Sequence, residues 1–166
     1  MDTINTVLEE IESQRKQTIE VSESLLKVDE CNIYRLDLWI LSIFRRTLSL
    51  IDGFIPLIER KNITCAGAMV RIHLDSLLRL FALNLVEDPE VVVRAIMKGE
   101  RLNSLKSKTA KLMHDKYLVR EASNFFDQHH ACAFPKPGWI ISVYETTSGY
   151  VHFSGRHINH LLYPRK

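Results

Sequence analysis

Ala66-Gly-Ala-Met-Val-Arg-Ile-His-Leu-Asp-Ser-Leu-Leu-Arg-Leu-Phe-Ala-Leu-Asn-Leu85 has the apolar spacing of an α-helix and none of the alternation of a strand. Leu74, Leu78, Phe81 and Ala82 recur every three or four residues, and Ala66, Gly67 and Ala68 are small enough to admit a close neighbour. Arg71, Asp75 and Arg79 stand at i, i+4 and i+8, so the aspartate is within reach of either arginine. Two readings of that stripe are open. On a solvated face it is a ladder of ion pairs contributing roughly 0.2–0.5 kcal/mol each. Beside Ile72, Leu74 and Leu78 it is instead the lining of a cleft, and two sequestered guanidinium groups then need a second anion, from Glu145 or from a bound carboxylate or phosphate. His73, Ser76 and Asn84 lie on the other face, where His73 reads as structural.

The same periodicity extends through the chain. A first helix is expected over residues 3–28, with Ile4, Leu8, Ile11, Ile19, Leu25 and Leu26 as its inward stripe and Thr6-x-x-Glu9 as a capping box. A second, over residues 33–51, is apolar over enough of its circumference to be central and is expected to stop at Asp52-Gly53. Thr64 is the expected cap of the third helix. Asp88-Pro89-Glu90 opens a short helix that Gly99 ends. The lysine-rich residues 102–116 read as peripheral, and Asp115 caps a helix reaching about Phe126. Pro135, Pro137 and Gly138 make residues 128–138 a loop, after which a last helix begins near Trp139. These elements describe an all-α fold, a single-domain bundle of about six helices occupying residues 1–166.

Composition narrows the function classes. With 46% hydrophobic residues in 166, the chain can bury a core, and 22 basic against 20 acidic residues leave a net charge of only +2, too balanced for a general nucleic-acid or membrane footprint. Cys31, Cys65 and Cys132 lie far apart without CxxC spacing, which favours a reducing, cytoplasmic setting and neither disulfides nor zinc. The apolar run over residues 36–44 is cut by Arg35, Asp37, Arg45 and Arg46, so it reads as core and no membrane association is expected.

The densest polar stretch is Tyr144-Glu-Thr-Thr-Ser-Gly-Tyr-Val-His-Phe-Ser-Gly-Arg-His-Ile-Asn-His160. His152, Arg156 and His160 repeat the i, i+4, i+8 spacing, a patch able to move protons and offset anionic charge. The bland alternative is histidines that cap helix carbonyls or face water. No metal is expected, because His152 and His160 lie two turns apart and no nearby carboxylate completes a ligand set.

Taken together, Ala66-Gly-Ala-Met-Val-Arg-Ile-His-Leu-Asp-Ser-Leu-Leu-Arg-Leu80 and Tyr144-x-x-x-Ser-Gly-Tyr-Val-His-Phe-Ser154 resemble a group of uncharacterised bacterial all-helical proteins, some of them similar to the HEPN superfamily. That resemblance implies a helical bundle, often dimeric, and in many members a metal-independent ribonuclease of toxin or abortive-infection systems. Its Arg-x(4–6)-His motif is incomplete here. Counting back from His152, the arginine's places hold Thr147, Thr146 and Glu145, and only three residues separate Arg156 from His160.

The function expected from these readings is binding of an anionic ligand (RNA, a nucleotide or a phosphorylated metabolite) in a cationic pocket between the third and last helices. Arg71, Asp75, Arg79, Tyr144 and Ser148 would bind it; were the protein a nuclease, His152, Arg156 and His160 would be catalytic. No cofactor is expected, and a homodimer is. The alternative is a non-enzymatic interaction or dimerisation module in which the same polar residues form a structural network.

Overall fold

The charged stretch folds as α3, Ile63–Phe81, and the other helices are arranged around it. In the computed structural model, which describes residues 2–28, 30, 32–129 and 137–152, α2 (Arg35–Glu59) packs along one flank of α3. The other flank takes α5 (Asp115–His129) and α6 (Trp139–Val151), which also pack on each other. α1 (Asp2–Leu26) lies on α2, as does the short α4 (Pro89–Met97). The described residues contain no strand, only an isolated antiparallel bridge between Lys106 and Leu112. The expected all-α bundle of six helices is therefore the fold. Among the described residues no helix is long and apolar enough to cross a membrane.

α3, not α2, is the central helix. It buries Ala66, Arg71, Leu74, Ser76, Leu78 and Phe81, whereas α2 buries only Ile43 and Thr47. The reason is geometric: α3 is covered on two sides, while the apolar surface of α2 is divided among α1, α3 and α4 and leaves Leu38 exposed. The expected stop at Asp52-Gly53 does not occur. α2 runs through Gly53 and Pro56 to Glu59, because it stays packed along α3, with Gly53 against Met69, and Arg15 of α1 holds the Asp52 carboxylate at 2.9 Å. Tertiary contacts thus outweigh the propensity cost of Gly and Pro.

Several caps also differ from expectation. Asn62 rather than Thr64 caps α3, its side-chain oxygen accepting from the Cys65 N–H at 3.2 Å. α1 begins at Asp2, so Thr6 is interior; Leu8, Ile11, Ile19 and Leu25 are half-buried, but Ile4 and Leu26 are exposed. α5 starts at Asp115, with the cap supplied by the preceding His114, whose Nδ1 accepts from the Tyr117 N–H at 3.2 Å. Asp88 caps α4 as expected, accepting from Glu90 and Val91, and Gly99 follows that helix at φ +98°.

The core lies between α3, α5 and α6, built on Leu74, Leu78, Leu118, Ala122 and Ile140. Residues 102–116 are not peripheral. Leu102 and Met113 belong to that core, Met113 with no exposed surface at all. Backbone bonds pin this segment, Lys108 N–H to Leu85 O at 2.8 Å and Met113 N–H to Leu105 O at 3.0 Å, so its lysines point outward while Leu102 and Met113 seal the bundle.

Between α1, α2 and α3 lies a cavity of about 260 Å³, walled by Ile11, Phe54 and Met69 and bordered by His73. The His73 Nδ1 is buried without a hydrogen-bond partner, and burial pushes its pKa below the ordinary 6.5. The folded chain therefore keeps this ring neutral where the unfolded chain takes up a proton. Its contribution to stability is complete above pH 6.5 and is lost as pH falls from there through the lower value of the folded state. Urea midpoints measured at about pH 7.5 and about pH 5.5 are expected to differ less in His73→Gln than in the wild type. An equal fall in both proteins would assign the acid sensitivity to other groups.

Candidate functional site

Arg71 is 6% exposed, and a guanidinium that deep must find its partners inside the protein. It finds four. One turn along α3, the Asp75 carboxylate forms an ion pair with Nη1. From α6, the Ser148 hydroxyl accepts from Nε at 3.3 Å and itself donates to the Tyr144 carbonyl at 2.6 Å, while the guanidinium carbon lies 4.0 Å from the centre of the Tyr144 ring. From the start of α5, Asp115 places a carboxylate oxygen 4.0 Å from Nη2. Ion pair, hydrogen bond and cation–π contact together replace the lost hydration.

The third and last helices thus meet, and Arg71, Asp75, Tyr144 and Ser148 come together. What fills the junction, however, is the arginine itself, its charge balanced in place. Asp115 is a second carboxylate beside Arg71; the condition that called for a further anion, burial of Arg79 as well, is not met, and both Arg79 and Glu145 are exposed. Nothing in the local sequence marks Asp115 for this role, since it is one acidic residue at a helix start and only the packing of α5 on α3 brings it near.

Arg79 goes elsewhere. With Asp75 it lines a groove of about 400 Å³ between α2 and α3, facing Trp39, Ser42 and Arg46. Two complementary stripes build this groove. Trp39, Ser42 and Arg46 are spaced i, i+3, i+7 on α2, and Ile72, Asp75 and Arg79 are spaced likewise on α3. Neither Arg46 nor Arg79 has a carboxylate partner among the described residues, and the carboxylate in the wall, Asp75, is already neutralised by Arg71. The Trp39 indole nitrogen is buried without an acceptor. Arg46 and Trp39 were legible only as a helical face within an apolar run, and recognising that face requires knowing which helix it meets.

His152 caps the end of α6, exposed, with its backbone N–H bonded to Ser148 O at 3.0 Å. Arg156 and His160, its expected catalytic companions, lie outside the described residues. The loop expected over residues 128–138 is also largely outside them, but its two ends are joined: Asp127 near the end of α5 accepts from the Gly138 N–H at 3.0 Å, where Gly138 takes φ +75° to start α6. Comparisons with protein-family models, with curated proteins and with solved structures returned no match, so the functional reading rests on the chemistry of these side chains.

Proposed function

We propose that the protein binds the anionic group of a small ligand, a phosphate or a carboxylate, in the groove between α2 and α3. The observation that carries this reading is the charge balance: Arg71 offsets Asp75, which leaves Arg46 and Arg79 facing a shared hollow without counter-charge. Guanidinium groups bind phosphate and carboxylate through paired N–H donors. The unpaired Trp39 indole adds a donor in the same wall; Ser42 and Ser76 line it too, their hydroxyl protons already given to Trp39 O and Ile72 O. Nucleotides and phosphorylated metabolites carry the required group, as does an RNA backbone.

Thermal unfolding with inorganic phosphate, pyrophosphate, adenosine monophosphate and a sugar phosphate tests the reading. A ligand at about a hundredfold its Kd is expected to stabilise the native state by about 2.7 kcal/mol. Arg46→Gln and Arg79→Gln are each expected to weaken binding by roughly 10–100-fold, the worth of one charge-assisted hydrogen bond. Equal stabilisation of wild type and both variants would remove the groove from the reading.

One observation favours a second reading, the non-enzymatic module. Arg71 ties α3 to α5 and α6 through a polar network of one guanidinium, two carboxylates, a hydroxyl and an aromatic ring, which is what a device fixing helix registry requires. In that case the phosphate panel leaves the unfolding temperature unchanged. The ribonuclease activity implied by the HEPN resemblance is read separately, by RNA degradation in wild type against His152→Ala.

A further inference from the structure

A second hollow, of about 770 Å³, opens on the opposite flank of α3, between the segment at residues 111–114, α5 and α6. Its walls include exposed apolar side chains: Leu112 is 47% exposed and Ile141 38%, with the half-buried Tyr144 ring beside them. Around these stand Lys111, Lys116 and Arg120, against a lone lining carboxylate, Glu145. Arg120 is partly engaged, donating to Glu121 at 3.2 Å, and both Arg120 and Lys111 lie over the Tyr117 ring, which leaves Lys116 as the freest cation. His114 contributes a further donor. Its Nδ1 accepts from the Tyr117 N–H, so the neutral ring carries its proton on Nε2, and the same residue marks the positive N-terminal end of α5.

The distribution differs from that of the α2–α3 groove. There, donors predominate and suit a compact anion; here, an apolar floor is rimmed by cations and the volume is that of a small-molecule pocket. We infer that this cleft binds a soluble amphiphilic anion, one molecule with an apolar body seated on Leu112, Ile141 and Tyr144 and a terminal phosphate, sulfate or carboxylate held by Lys116, Arg120 and His114. A body without a charge leaves the basic rim unused, and a charge without a body leaves the apolar floor wet. Each half alone is therefore a weaker ligand than the whole.

Octyl phosphate is the probe, with inorganic phosphate and octanol as its two halves, titrated below the micellar range and followed by calorimetry. Saturable one-to-one binding of octyl phosphate, at least about tenfold tighter than either half, is expected. The double variant Lys116→Gln/Arg120→Gln should lose about tenfold in affinity, and Ile141→Ser, a change at a half-exposed site that leaves the core intact, about threefold to tenfold. All of these titrations are made in an Arg46→Gln/Arg79→Gln background, which removes the phosphate-binding arginines of the α2–α3 groove, so this site and that groove succeed or fail separately. The inference is overturned if inorganic phosphate binds as tightly as octyl phosphate, or if neither the cationic nor the Ile141 variant changes the affinity. Co-sedimentation with phosphatidylcholine–phosphatidylglycerol vesicles in the absence of saturable octyl phosphate binding would also overturn it, because the ligand would then be a lipid surface.

Discussion

Arg71→Met should lower the stability of the native state by about 2–4 kcal/mol, a fall in Tm of roughly 5–15 °C for a chain of this size. Methionine keeps most of the volume but leaves the Asp75 carboxylate unpaired and removes the contacts with Ser148 and the Tyr144 ring. Breaking a buried ion pair commonly costs about 3–5 kcal/mol; the lower figure here reflects that Asp75 keeps 33% of its side-chain surface in water. Adding Asp75→Leu should restore part of the loss, since it removes the stranded charge. Denaturant unfolding of the single and double variants measures both effects. The sign is decisive between the two roles of Arg71. A buried arginine held in reserve for a ligand would destabilise the free protein, so its removal would leave stability unchanged or raise it. A fall of less than about 0.5 kcal/mol would therefore overturn the network described here.

The second large effect concerns Gly67. A Cβ at this position would lie 2.7–2.9 Å from three atoms of the Tyr150 ring, closer than packed carbon atoms approach. In an exposed helix, glycine to alanine gains up to about 1 kcal/mol, because alanine loses less backbone freedom. At the α3–α6 junction the clash outweighs that gain, and Gly67→Ala is expected to destabilise by about 1–3 kcal/mol net. In a Tyr150→Ala background the ring is absent and the sign should reverse, with alanine at position 67 now stabilising. A double-mutant cycle on unfolding free energies isolates this coupling. If Gly67→Ala has the same effect in both backgrounds, the close approach of α3 and α6 at this point is not what requires glycine.

The same two positions show how far sequence reasoning reached. Ala66-Gly67-Ala68 announced a close approach, because small residues in a helix have few other uses in packing, but no feature of the stretch said that a tyrosine ring of α6 would fill the space. Asp88-Pro89 placed a helix start correctly, since the cap needs only neighbouring residues. Asp52-Gly53 failed by the same logic, because a cap signal is weak beside an ion pair to α1 and packing against α3. Residues 102–116 failed for a related reason. Lysine content describes the outward side chains and is silent about Met113, which is buried because the backbone of residues 105–113 is pinned across the end of the core.

Of the candidate site, the sequence identified Arg71, Asp75 and Arg79 as a set without dividing them. On an isolated helix three side chains at four-residue spacing share one face, and Asp75 is equally close to both arginines. Division comes from the neighbours: α5 and α6 bury one side of α3 and draw Arg71 inward to Asp75, Asp115, Ser148 and Tyr144, whereas α2 leaves the other side open at Arg79.

By itself, then, the sequence determined the helical character of the chain, the number of helices and the residues able to carry charge, because periodicity and local capping are properties of short segments. Tertiary structure alone decided which helix is central, which arginine is neutralised and which two share an open groove. Those outcomes depend on charges and surfaces far apart in the chain, and a charge is spent or available only according to what stands within a few ångströms of it.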